Sequence, residues 1–338
     1  MMLSRVADSL FWISRSMERA DNVARLIDTA RRMITLPIKT GRGPTNEWSS
    51  ILIAAGASDT FPGDLDEATR ETALEHLVAD PENPSSIYSC IRNARENARA
   101  IRFGLTSEVW HTLNSCWNEL PGQISSMRTR KAYLAELVDW VKISQATYRG
   151  AVEGTMVRDD SLEFLRLGSH LERADATARI LDVKYHVLLP SLGEIGGPLD
   201  QFQWVSLLQA VGVQRAYHFV TKTDVSRKGV ASFLMQNEVN PRSMAYSVSR
   251  IVMSLQALEA QYGRYYQCGA QASGLLDGLR NADVDRILNT GLHEYLTQFI
   301  AEISMLAQQI AQDFAFAPPI LSEEEEASDM SQMHSQSN

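Results

Sequence analysis

Cysteine is scarce in this chain: Cys90, Cys116 and Cys268 are the only three in 338 residues, and none belongs to a CxxC pair. An odd, sparse set excludes a disulfide framework and suits a reducing cytoplasm. No apolar run reaches the roughly 18 residues that a membrane span needs, so no membrane segment is expected. Near the N-terminus, Asp8, Arg15, Glu18 and Arg19 interrupt the apolar patch before a signal-peptide core can form. Excess positive charge is also lacking. The net charge is −9, which leaves no global field to attract nucleic acid. Glycine-rich phosphate loops, a GxSxG elbow and an HExxH pair are missing. One ExxH exists, Glu108 to His111, where a di-iron bundle uses two. No metal and no cofactor are therefore expected. Strand signals, meaning period-two alternation rich in valine, threonine and aromatics, do not occur either.

What is present is helix, and much of it is present twice. Residues 17–28 read MERADNVARLID and residues 171–182 read LERADATARILD, with seven positions identical and three more swapping one aliphatic side chain for another. WSSILIAAGA from Trp48 is answered by WVSLLQAVGV from Trp204, and NPSSIYSCIRNAR from Asn83 by NPRSMAYSVSRIV from Asn240. AYLAELVDWVK from Ala132 resembles EYLTQFIAEIS from Glu294. The order is kept and the offset stays near about 155–160 residues, too long for a solenoid unit of about 20–50. The pattern predicts an all-α protein, a helical bundle of two tandem, sequence-related repeats: residues 1–157, residues 158–316, and a disordered acidic tail at 317–338.

The first helix is expected from about Ser4 to Met33. Its apolar stripe is Leu10, Ile13, Met17, Ala20, Ala24 and Ile27, and the alanines narrow it enough for close helix approach. Continuous helices are also expected over 65–78 and 201–217. A helix opening at Pro84 should end near Phe103, and one from Ser107 should be stopped by Pro121-Gly122.

The repeated helix carries charges on a stripe. Arg15, Glu18, Asp21, Asn22 and Arg25 lie together at helical spacing, with Arg19 beside them; Glu172, Arg173, Asp175 and Arg179 repeat the pattern. Phe11, Leu10 and Leu26 flank the first stripe, and Leu165, Ala176 and Ile180 the second. Charges between two apolar arcs are expected to be buried and paired. Two uses fit such a stripe. One is a salt-bridge network joining the two copies. The other is a polar pocket in which Glu18 or Glu172 serves as a catalytic carboxylate and Arg25 or Arg179 as an anion clamp. Ordinary surface pairs remain the third reading.

A second cationic stripe, Arg92, Arg95, Arg99 and Arg102, falls on one face of IRNARENARAIR. Such a row repels itself unless anions neutralise it, either the ERAD carboxylates or a bound phosphate or carboxylate. The sister copy has Ser249, Val252, Gln256 and Glu259 there; conversely Arg242 has only Ser85 opposite it. The asymmetry points to one specialised anion site, with these arginines as substrate ligands. Cys90, on the same helix, is expected to be a buried thiol.

VADSLFWISRSMERADNVARL, ARENARAIR followed by SEVWHTLN, and FLRLGSHLERADATARIL resemble the bacterial alpha-E domain family over about residues 2–316. The resemblance implies an all-helical cytoplasmic protein that works with a circularly permuted ATP-grasp ligase and, in some cases, a transglutaminase-like protease. It thereby implies an accessory or co-catalytic role in amide-bond formation, binding an anionic substrate in an Arg/Glu-lined pocket, or a non-catalytic scaffold that docks the ligase. Two positions depart from the family pattern: Ser169, opposite Arg15, where arginine is frequent, and His111, where an acidic or polar residue is.

Overall fold

The computed structural model describes residues 2–34, 47–188 and 197–316. The proline- and glycine-rich stretches expected as loops at 35–46 and 189–196, and the acidic segment 317–338 expected as a disordered tail, lie outside the described residues.

Fourteen α-helices and no strand occur among the described residues. The first seven are α1 (Ser4–Ile34), α2 (Glu47–Ala54), α3 (Arg70–Leu74), α4 (Ile87–Ala100), α5 (Ser107–Thr129), α6 (Leu134–Thr155) and α7 (Asp160–Leu188). They are followed by α8 (Pro198–Val211), α9 (Gln214–Thr221), α10 (Arg227–Met235), α11 (Met244–Tyr262), α12 (Gln267–Arg280), α13 (Val284–Thr290) and α14 (Leu292–Asp313). None is long and apolar enough to cross a membrane.

The two ERAD helices, α1 and α7, form the centre. They are buried on nearly every face, α1 from Ala7 to Ala30 and α7 from Leu162 to Val183. Their contacts advance in the same sense along both: Phe11 meets Gly168, and Arg15 meets Glu172. The two helices therefore run parallel. A Cβ on Gly168 would overlap the Phe11 carbonyl oxygen, so glycine is what lets the backbones touch there. Helices α2, α4, α6 and α8 pack on α1, while α2, α8, α11 and α14 pack on α7. A single hydrophobic cluster runs through both halves of the chain, and α6 ends just before α7 begins.

Capping chemistry sets the boundaries. Asn83 and Asn240 do the same work at the heads of α4 and α11: each side-chain amide donates to a carbonyl of the preceding element, His76 O at 2.9 Å and Phe233 O at 3.2 Å. Each side-chain oxygen then accepts an N–H two residues on. Ser86 and Ser243 are the N-caps. The helix thus opens at Ser86 and not at Pro84. At its other end α4 stops at Ala100, and residues 102–104 form a separate 3-10 turn.

Three other expected spans are corrected. Residues 65–78 are not one helix: a 3-10 turn at Leu65–Glu67 precedes α3, because Thr69 and Thr72 form a capping box that starts a new helix. Residues 201–217 are split by Gly212, whose left-handed conformation (φ 81°) closes α8. Pro121 does not end α5. It lies on the solvent face while Leu120 and Ile124 are buried on either side, so packing holds the helix through the lost hydrogen bond.

Candidate functional site

The charges of α1 and α7 meet at the centre of the bundle, and they pair across helices. Glu18, 1% exposed, takes both arms of Arg173, Nε at 2.7 Å and Nη2 at 2.8 Å. It also accepts from Gln145 Nε2 at 2.6 Å, Arg242 Nη1 at 3.1 Å and Ser169 Oγ at 3.3 Å. Glu172, 2% exposed, takes Arg19 Nε at 2.6 Å and Nη2 at 2.9 Å, together with Arg15 Nε at 2.8 Å. Each glutamate is thus clasped by the arginine that follows the other glutamate in sequence.

The aspartates serve the same network. Asp21 accepts from Arg25 Nε at 2.8 Å and Arg242 Nη2 at 3.0 Å. Asp175 accepts from Arg179 Nε at 2.6 Å. Arg25 goes on to the last carbonyls of α8, Ala210 O at 2.9 Å and Val211 O at 3.0 Å, so it ties α1 to that helix end. Arg179 lies against Gly56, the left-handed residue that closes α2. Arg242, in the turn before α11, is placed by Thr177, whose hydroxyl donates to the Arg242 carbonyl at 3.0 Å.

Burial pulls the carboxyl pKa values up, but the guanidiniums win. Arg173, with Arg242 and Arg149 behind it, holds Glu18 far below the usual carboxylate range. Arg19 and Arg15 do the same for Glu172, and Arg242 and Arg25 for Asp21. Arg242 itself is brought down to about 10 by burial and by its neighbours Arg25 and Arg173, and is still charged near neutral pH. A general base needs a pKa near the working pH. The condition under which Glu18 or Glu172 was expected to act as a base, a pKa raised toward neutrality, is not met: desolvation is outweighed by paired cations.

The arginine helix lies apart from this network. Arg92, Arg95, Arg99 and Arg102 do not reach the ERAD carboxylates. Arg92, Arg95 and Arg99 lie on the outer face of α4 and Arg102 in the 3-10 turn that follows it, with Arg99 and Arg102 exposed, while the buried face of α4 carries Cys90, Ala94 and Ala98 toward α1. Three of the four sit over aromatic rings: Arg92 over Tyr88 at 5.6 Å, Arg95 over Trp117 at 5.9 Å, Arg102 over Trp110 at 5.2 Å. Glu96 neutralises Arg95 at 2.8 Å and lies 3.5 Å from Arg99. Aromatic faces and one glutamate partner this row in place of the ERAD carboxylates. Cys90 is a buried thiol whose pKa burial pushes up to about 12. Glu108 and His111 are both exposed on α5.

Sequence reasoning missed a group beside the network. Gln145, Arg149, Arg166, His170 and Arg250 line hollows against Arg173. A signal existed: Arg166, His170 and Arg173 share a helical face at i, i+4 and i+7.

The family model of Alpha-E, described as a predicted alpha-helical domain with a conserved ER motif, matches residues 2–315. The chain holds two Glu-Arg pairs, Glu18-Arg19 and Glu172-Arg173. An uncharacterised protein of Mycobacterium bovis is 22% identical over 324 residues, covering 91% of this chain and 36% of that protein. Two uncharacterised proteins from strains of Mycobacterium tuberculosis match with the same identity and coverage. The chain thus spans about a third of the length of the curated relatives it matches. No solved structure matches.

Proposed function

This chain belongs to the Alpha-E family, and from that premise we propose that it is a non-catalytic helical scaffold of an amide-forming system, acting in the cytoplasm and docking a circularly permuted ATP-grasp ligase. The observation that carries the reading is the saturation of the ERAD carboxylates. Glu18 and Glu172 are each occupied by two guanidiniums and held ionised, which suits a brace between helices and not proton transfer. The duplicated sequence fits the same role. Residues at matching positions of the two copies make reciprocal contacts, as Arg19 with Glu172 and Arg173 with Glu18. We read this as two repeats related by a pseudo-twofold along the α1–α7 seam.

Two further observations support a docking role. In the relatives, nearly two thirds of the polypeptide lies outside the matched region, so there the Alpha-E portion is joined to other sequence. On the outer face of α4 and α5, arginines over Trp110, Trp117 and Tyr88 lie near the fully exposed Phe103. Arginine and large aromatics are the residues that dominate interface energetics.

Reconstitution with a circularly permuted ATP-grasp ligase from the same organism tests the reading. The wild-type chain should co-purify with the ligase and raise amide product. Glu18→Gln, assayed below its melting temperature, should keep that effect. Arg99→Ala and Phe103→Ala should lose ligase binding while melting like the wild type. A folded Glu18→Gln that binds the ligase yet yields no product would overturn the scaffold and return Glu18 to the chemistry.

A further inference from the structure

Gln145 Oε1, His170 Nδ1 and Arg250 Nε are buried without a hydrogen-bond partner. These atoms come from three helices, α6, α7 and α11, and all three residues line adjoining hollows. The inner hollow, about 40 Å³, is lined by Ser14, Gln145, Tyr148 and Ser169. The outer cleft, about 610 Å³, is lined by Tyr246, Arg250, Met253 and Ser254. Arg149, Arg166, His170 and Arg173 line both, so the cleft leads from the surface to the edge of the ERAD network.

The charge around the cleft is unbalanced. Its carboxylates are already taken: Glu153 by Arg158 and Arg166, Glu163 by Arg166 and the Ser254 hydroxyl. Arg173 belongs to Glu18. Arg149 and Arg250 have no ion-pair partner among the described residues. Arg250 is half-buried, with its guanidinium 4.8 Å from the centre of the Tyr246 ring. A guanidinium in that setting fits an oxyanion that it can clasp bidentately.

The other open atoms describe the rest of the ligand. Gln145 is 2% exposed, and its amide nitrogen donates to Glu18 at 2.6 Å. A flipped amide would set carbonyl against carboxylate, so the carbonyl oxygen is the group left open, and it requires a donor. His170 is neutral near pH 7, because burial and the facing Arg173, Arg250 and Arg166 outweigh Glu18 and drive its pKa well down. Its ring therefore offers a nitrogen lone pair as well as an N–H.

We propose that this cleft binds a small ligand carrying an oxyanion, carboxylate or phosphate, beside an N–H or O–H donor: Arg149 and Arg250 hold the anion, and Gln145 and His170 receive the donor. Two kinds of molecule share that chemistry, an acidic amino acid or short peptide and a phosphate monoester of an alcohol. The site is separate from the docking face and needs no ligase, so failure of the reconstitution assay would leave it standing.

Isothermal titration calorimetry on the full chain tests it with three probes: the dipeptide Ala-Glu, glycerol 3-phosphate, and acetate, which has the anion but no donor. The dipeptide or the phosphate ester should bind about tenfold or more tighter than acetate, and whichever does so names the source. Arg149→Gln and Arg250→Gln should each weaken that probe by about tenfold, the loss of a charge-assisted contact. Without ligand, Arg250→Gln should melt at or above the wild-type temperature, since it removes a half-buried charge that has no ion-pair partner among the described residues, while Arg149→Gln should melt slightly lower because it removes an attraction for Glu18. Absence of binding by all three probes at millimolar concentration would overturn the proposal. So would acetate binding as tightly as the others, or unchanged affinity in both arginine variants.

Discussion

Glu18→Gln should destabilise the protein by about 3–5 kcal/mol, the cost of breaking a buried ion pair from one side. Glutamine keeps the shape and one acceptor but removes the charge. Arg242 retains Asp21, so it is not stranded. Arg173 has Glu18 as its one carboxylate partner among the described residues, and its side chain is 3% exposed. That guanidinium is left charged in the core. With an unfolding entropy of about 2.1 cal/mol/K per residue, a chain this long loses about 1.5 °C per kcal/mol, so melting should fall by about 5–8 °C.

Glu172→Gln is the internal comparison. Its partners Arg15 and Arg19 are 15% and 24% exposed and are able to turn toward water. The expected loss is correspondingly smaller, about 1–3 kcal/mol. Adding Arg173→Met to Glu18→Gln removes both partners and should restore at least half of the lost stability. Thermal melts and urea titrations at constant m-value report these differences. The reasoning is refuted if Glu18→Gln melts within about 1 °C of the wild type, or if Glu172→Gln falls further than Glu18→Gln.

Two other outcomes follow from the same seam. Glu18, Asp21 and Glu172 all have folded pKa values below their ordinary 3.8 to 4.5, so their stabilisation is complete above that range and is lost as pH falls below it. Melting temperature should be flat from about pH 7 to 5 and drop steeply under about pH 4, and a Glu18→Gln profile as steep as the wild type's would count against this assignment. Gly168→Ala would push a methyl group into the Phe11 carbonyl and separate α1 from α7. A loss of about 1–3 kcal/mol is expected, as for overpacking, and a neutral melt would mean that the seam relaxes freely.

The burial of the ERAD charges was legible because Phe11, Leu26, Leu165 and Ile180 bracket them on the helix. The i, i+4 pairs Asp21–Arg25 and Asp175–Arg179 follow from spacing alone, and both form. Periodicity says which face a residue occupies but not which helix it meets, so the crosswise pairing of Glu18 with Arg173 could not be read. Nor could the reach of Arg242, whose closeness to Glu18 and Asp21 depends on how α11 crosses α7. The pairing of the arginine helix with the ERAD carboxylates was misread for a different reason. Like charges in a row do repel, but Tyr88, Trp110 and Trp117 stand beneath them, and two of those rings come from α5. His170 and Arg250 went unnoticed because each looks unremarkable until three helices bring them to one cleft.

If the two halves are repeats as proposed, their asymmetry has a physical reading once the partners are known. In the first copy Arg15 supplies the second guanidinium for Glu172; its counterpart in the second copy is Ser169, which gives Glu18 only a hydroxyl at 3.3 Å. The missing cation arrives from elsewhere, as Arg242, whose own counterpart is Ser85. Each central glutamate therefore meets two guanidiniums, although the residues supplying them are not equivalent. Charge balance at the centre is kept while exact symmetry is given up. The exchange has a spatial consequence. Arginine at 169 would project toward the inner hollow, where Ser169 now lines open space with Gln145 and His170. Moving that charge to Arg242 neutralises Glu18 from the α11 side and leaves the hollow unfilled. Ser169→Arg should thus close the inner hollow and abolish binding of the dipeptide or phosphate ester, with a lower melting temperature because a third guanidinium joins Arg173 and Arg242 around Glu18. Calorimetry showing undiminished binding in Ser169→Arg would sever the link between the asymmetry and the cleft.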